Sequence, residues 1–165
     1  MIKFKEYFLE SVESEYHGPW YHGGTYDGKG NMKISKRGGY GWGIYFTDDR
    51  TRAEGYAKEN GWGERHTSPT YVHEFYVRYK NPLVVSARVY GGNVSEIDVL
   101  CALGLDRNKA IRIVDVALEK SGYISKQIYT LATKMGYDAL IIDFDSSKEL
   151  IVWNPYDIRK FKFLI

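Results

Sequence analysis

Four short segments carry residues whose types and spacing suit chemistry on a sugar joined to a flat, cationic ring. They are Tyr21-His22-Gly23-Gly24, Gly43-Ile44-Tyr45-Phe46-Thr47, Tyr56 eleven residues after Tyr45, and Glu149-Leu150-Ile151-Val152-Trp153. When such a ring departs, the sugar carbon becomes oxocarbenium-like, and a nearby carboxylate stabilises it. Glu149, at the opening of an apolar strand, can be held rigidly for that purpose. Tyr45 and Tyr56 offer two aromatic faces to flank a planar cation. Gly23 and Gly24 follow His22 directly, and their backbone N–H and C=O groups stay open to a ligand amide because no side chain shields them. The bond between nicotinamide and ribose in NAD makes all of these demands.

Each of these residues needs an element to hold it. Ile44 to Thr47 reads as a short strand with Tyr45 at its end, and Asp48 or Asp49 then caps a helix that stops near Asn60-Gly61. On that helix Tyr56 shares a face with Ala53 and Ala57, small residues that let helix and strand approach closely. Upstream, Phe4, Tyr7, Phe8 and Val12 recur at helical spacing, predicting an amphipathic helix over Lys3 to Glu15. Glycine dominates from Gly18 to Gly43, which predicts a long irregular loop. Tyr71 to Tyr79 alternates as a strand, with a second at Leu83 to Val85. Helices are expected over Ser95 to Gly104, Asn108 to Lys120 and Ser125 to Met135. Short apolar runs at Ala139 to Phe144 and Leu150 to Trp153 follow, and Phe161, Phe163 and Ile165 alternate in a closing strand. This order predicts one α+β domain over residues 1–165 with a mostly antiparallel sheet.

Composition bounds the function. At 165 residues with 44% hydrophobic content the chain is long enough to bury a core of its own. Its 23 Lys and Arg nearly balance 21 Asp and Glu, so a net charge of +2 gives no general attraction to nucleic acid or membrane. Cys101 is the only cysteine, which excludes an internal disulfide framework and a multi-cysteine zinc site and suits a reducing, cytoplasmic compartment of the producer or of a target cell. His17, His22, His66 and His73 lack metal-ligand spacing, so no metal is expected. Charges interrupt the N-terminal apolar residues, and no stretch supplies the roughly 18 consecutive apolar residues of a spanning helix. No membrane partner is expected.

Plainer readings stand beside the chemical ones. A histidine among glycines is often a loop residue with a satisfied hydrogen bond. Two of 15 tyrosines can simply fill a helix-strand contact, and a glutamate ahead of a strand is commonly a solvated edge residue. Gly39-Tyr40-Gly41-Trp42-Gly43 superficially suggests a nucleotide loop but precedes a strand and lacks a Lys-Ser/Thr pair. Asp143 and Asp145 alternate on one face and either form a carboxylate pair or flank a turn. Lys29, Lys33, Lys36 and Arg37 form a basic patch that is a solvated face or a contact for pyrophosphate or an acidic acceptor.

Taken together, the four segments resemble ADP-ribosyltransferases of the His-Tyr-Glu class, the group that includes diphtheria toxin and the poly(ADP-ribose) polymerases. The resemblance spans Trp20 to Pro155. It implies a split, mostly antiparallel sheet around an NAD cleft with flanking helices, and NAD as co-substrate. It further implies that His22 binds the adenosine ribose, Gly23 holds the carboxamide, Tyr45 and Tyr56 sandwich nicotinamide, and Glu149 stabilises the oxocarbenium; His22, Tyr45 and Glu149 are the catalytic set. Two positions depart from related patterns. Ala53 stands where polymerase-type members have a carboxamide-binding serine, and Ser147 stands where arginine-modifying toxins have a second Glu or Gln. The resemblance thus points to mono-ADP-ribosylation of a macromolecular acceptor, protein ahead of nucleic acid, by a monomer of the kind found as a bacterial toxin or phage-encoded modifier. An NAD glycohydrolase and a non-catalytic NAD or ADP-ribose binder are the alternatives.

Overall fold

A computed structural model describes residues 15–59, 66–124 and 126–160. The described residues form eight strands and four α-helices, in the order three strands, one helix, two strands, three helices and three strands. The strands are β1 (Tyr16–Gly24), β2 (Ser35–Gly38), β3 (Gly41–Thr47), β4 (Tyr71–Arg78), β5 (Pro82–Ser86), β6 (Ala139–Asp143), β7 (Lys148–Val152) and β8 (Ile158–Lys160). The helices are α1 (Arg50–Lys58), α2 (Glu96–Ala102), α3 (Arg107–Ser121) and α4 (Gln127–Lys134). The sheet runs β5-β6-β7-β3-β1-β4-β8, with β2 added to β3. Only the β5–β6 pair is parallel, so the expected α+β, mostly antiparallel architecture holds.

The sheet is split where β1 meets β3. These strands share a single bridge, Tyr21 opposite Thr47, whereas β1 pairs with β4 along most of its length and β3 pairs with β7 over Ile44 to Thr47. Beyond Tyr21, residues 22–24 therefore have a strand on one side only. β3 also forms a hairpin with β2, which pairs Ser35 with Gly43 and Gly38 with Gly41.

Apolar cores lie on both faces. Helices α2, α3 and α4 cover one, with Val99, Leu100, Ala110, Val114, Ile128, Leu140, Ile142 and Ile151 at its centre. Trp20, Ile44, Phe46, Phe75, Val77, Ile141 and Leu150 form the other. Successive residues of β6 and β7 thus point into different cores, which is why these strands read as continuous apolar runs rather than alternating ones.

Several expectations require revision. The glycine-rich stretch from Gly18 to Gly43 is not one long loop: β1 and β2 occupy much of it, because pairing with β4 and β3 overrides the poor strand propensity of glycine. Tyr45 stands inside β3 rather than at its end. The last described strand is Ile158–Lys160, upstream of the expected Phe161 to Ile165 run, which lies outside the described residues. So does the expected N-terminal helix except for Glu15, and so does Asn60-Gly61; α1 closes at Lys58 with Glu59 as its cap.

Candidate active site

The elements beside the split position the sequence-derived residues. Asp49 starts α1 by accepting the Thr51 and Arg52 amides at its carboxylate, as a helix cap does. Ala53 and Ala57 face inward and are buried, which brings α1 down onto β1. The approach is so close that a Cβ on Gly23 would collide with the Ala53 carbonyl oxygen. Gly23 is thus demanded by packing as well as suited to exposing backbone to a ligand.

His22 bridges the split. Its Nδ1–H donates to the Tyr45 carbonyl at 2.8 Å, so an imidazole takes the place of a strand-to-strand bond where β1 and β3 have separated. Nδ1 being the donor, Nε2 is the acceptor of the neutral ring. Burial holds the imidazole below its ordinary titration range, outweighing the bond to Tyr45, with a further lowering from the nearby His73.

Tyr45 is held by its own hairpin. Its hydroxyl donates to the Gly41 carbonyl at 2.7 Å and accepts the Tyr40 amide at 3.0 Å. Gly38 of β2 abuts the ring so tightly that any Cβ there would strike it. With the hydroxyl satisfied, what Tyr45 offers a ligand is its aromatic face. Burial pushes its phenol, and those of Tyr40 and Tyr56, upward, with the Glu149 charge adding to the effect, so all three remain neutral.

Glu149 stands opposite Thr47 of β3 on one side and Ile142 of β6 on the other, so its backbone is fixed by both neighbours. Its side chain is only 13% exposed. The Tyr56 hydroxyl donates to Oε1 at 2.9 Å, and the Arg52 Nη2 reaches the same oxygen at 2.9 Å. Among the described residues Oε2 makes no hydrogen bond. His22, Tyr45, Tyr56 and Glu149 are thereby brought to one place by a chain of contacts that crosses β1, β3, β7 and α1.

Arg52 was missed in the sequence. Its Nη1 donates to the Ser147 hydroxyl at 2.9 Å and its Nε to the Tyr56 oxygen at 3.3 Å, while the guanidinium lies 5.0 Å from the centre of the Phe144 ring. The available signal was its place one helical turn before Tyr56, which puts both on one face of α1; its partners at Phe144, Ser147 and Glu149 gave none.

The remaining candidates lie apart from this arrangement or serve the scaffold. Asp145 has a left-handed backbone (φ 68) and donates its amide to Asp143 at 2.9 Å, so the two acids flank a turn. Gly39 and Tyr40 form the turn of the β2–β3 hairpin, not a nucleotide loop. Of the basic patch, Lys36 lies over the Trp42 ring and Arg37 over Tyr123. Among the described residues no group of three or more His, Cys, Asp or Glu is placed to hold a metal ion, and no helix is long and apolar enough to cross a membrane.

This split sheet, with aromatic rings and a carboxylate beside the gap, has the architecture of an ADP-ribosyltransferase. The family model described as ADP-ribosyltransferase in polyvalent proteins matches residues 18–162, and the chain belongs to that family. The family is one of ADP-ribosyltransferases, whose domains use NAD as co-substrate. Among solved structures, the crystal structure of an anti-CRISPR protein is similar at 18% identity, covering 87% of this chain and 95% of that one with a TM-score of 0.40. No curated protein matches.

Proposed function

We propose that the chain is a mono-ADP-ribosyltransferase of the His-Tyr-Glu class, a single domain that cleaves NAD between nicotinamide and ribose and passes ADP-ribose to a macromolecule, protein ahead of nucleic acid. The observation that supports this most is the contact chain linking four distant segments: His22 to the Tyr45 carbonyl, Thr47 opposite Glu149, and the Tyr56 hydroxyl on the Glu149 carboxylate. NAD fits the residues present. Gly23 offers backbone at a place where a side chain has no room, neutral His22 keeps an acceptor nitrogen, and Tyr45 and Tyr56 present aromatic rings.

In this reading His22 binds the adenosine ribose, Gly23 the carboxamide, and Tyr45 with Tyr56 the nicotinamide ring. The glycosidic C–N bond breaks with its electron pair going to the ring nitrogen, which cancels the positive charge of nicotinamide. The ribose carbon left behind is cationic, and the Glu149 carboxylate lowers the energy of that state. A nucleophile of the acceptor then bonds to this carbon and releases its proton. Glu149 contributes more to the transition state than to ground-state binding, which is what catalysis requires.

The test uses NAD labelled on its adenylate, incubated with a cell lysate and either the protein or its Glu149→Gln variant. Label attached to protein by the wild type and absent with the variant is the expected result. Free labelled ADP-ribose alone identifies a glycohydrolase, label in nucleic acid corrects the acceptor class, and intact NAD under all conditions leaves a binding module.

A further inference from the structure

We infer that Arg52 is a positioning residue for Glu149: it fixes one carboxylate oxygen so that the other is presented to the reacting sugar. The inference rests on the role given to Glu149 above and adds to it a residue that acts through Glu149 rather than on NAD.

The reason lies in what the backbone leaves free. Pairing with β3 and β6 fixes the Glu149 main chain but not its side chain, whose carboxylate must be held to within a fraction of an ångström to be useful. Two donors from successive turns of α1 converge on Oε1, Arg52 Nη2 and the Tyr56 hydroxyl, each at 2.9 Å. Both bonds reach an ionised acceptor and are charge-assisted, and the guanidinium adds a charge opposite to that of the carboxylate. Among the described residues Oε2 has no hydrogen-bond partner, and it is the atom available to a ribose or an acceptor proton.

Arg52 is itself braced from the far side. The Asp49 cap accepts its amide, Ser147 Oγ accepts from Nη1, and Phe144 covers the guanidinium face. Ser147 and Phe144 belong to the turn that leads from β6 into β7, so the support reaches Glu149 from two directions, through its strand and through Arg52. Three different nitrogens serve three different oxygens, on Tyr56, Ser147 and Glu149. A lysine, with one nitrogen on a flexible stem, cannot reproduce that fork.

The experiment measures nicotinamide release over a range of NAD concentrations for the wild type, Arg52→Ala, Arg52→Lys and Ser147→Ala, with NAD affinity determined separately by calorimetry. Misplacement of a reacting group by about 1 Å costs about 10²-fold in rate. Arg52→Ala should therefore lose about that much kcat while the KM and the Kd for NAD stay within about 3-fold, the pattern of an interaction made in the transition state. Arg52→Lys should recover little, and added guanidinium ion should restore part of the Arg52→Ala rate but none of the Glu149→Gln rate. Ser147→Ala should fall between wild type and Arg52→Ala, and it provides the test should Arg52→Ala fail to fold. An unchanged kcat in Arg52→Ala, or in Ser147→Ala if only that variant folds, overturns the inference. So does a loss confined to KM and Kd, which would make Arg52 an NAD ligand. If the wild type releases no nicotinamide, or Glu149→Gln retains full rate, the role of Glu149 itself fails and this inference falls with it.

Discussion

His22 and Tyr45 are tied to one another before any ligand arrives, and the two bonds leave different atoms on offer. The Nδ1–H of His22 is spent on the Tyr45 carbonyl, so the nitrogen left for the proposed contact with NAD is Nε2, an acceptor only while the ring is neutral. The folded pKa lies below the ordinary 6.5. In the unfolded chain the ring takes up its proton first as pH falls, so the folded state loses stability from about pH 6.5 downward through the folded pKa and is insensitive to this group above it. Denaturant midpoints measured at pH 7.5 and 5.5 should separate more for the wild type than for His22→Asn, and KM for NAD should rise only on the acid side. Tyr45 yields a different expectation, because its hydroxyl is used up inside the β2–β3 hairpin. Tyr45→Phe should cost about 1 kcal/mol by leaving the Tyr40 amide without its partner, yet keep KM for NAD within a few-fold. Loss of NAD binding in that variant would show that the hydroxyl, not the ring, meets the ligand.

Among elements, the contact between β1 and α1 sets the width of the cleft. Gly23 and Ala53 meet there with no room for another carbon. Gly23→Ala must push the helix away, and with it Arg52 and Tyr56. Such overpacking typically destabilises by about 1–3 kcal/mol, and here a weaker NAD affinity should accompany the drop in melting temperature. A stable variant with unchanged affinity would show that the helix yields without moving the site. How much of this could be read from the sequence follows from how local each signal is. Asp49 ahead of α1 is a cap that acts on the next turn, and the helix begins where that residue predicts; the helix expected from Ser95 starts one residue later, with Ser95 as its cap. The eleven residues from Tyr45 to Tyr56 span one strand and one helix, so their placement was legible too. β1 was not, because its glycines carry no strand signal and its stability comes from β4, some fifty residues downstream. Arg52 was hidden for the same reason, its partner Ser147 lying 95 residues away.

At the scale of the whole molecule, β6 and β7 contribute to both apolar cores and form a wall beside the split, and one of those cores continues across it through Trp20 of β1 and Phe75 and Val77 of β4. The sheet is joined across the gap by one bridge at Tyr21 and Thr47, next to the His22 contact. The wall fixes the strand that carries Glu149, and the site proposed for NAD lies at the gap. The apolar runs of β6 and β7 announced the wall in the sequence, whereas the gap is a property of which strands fail to pair, and no residue type encodes that locally. The proposed transferase role requires that Glu149 act in breaking the bond rather than in holding NAD. The direct measurement is nicotinamide release under saturating NAD by the wild type and Glu149→Gln, with the NAD dissociation constant of each. If Glu149 acts on the transition state, kcat is lower by about 10²- to 10³-fold in the variant, as for loss of an electrostatic contact in other enzymes, with nearly equal dissociation constants. Equal rates, or a rate lost only in proportion to affinity, would contradict it.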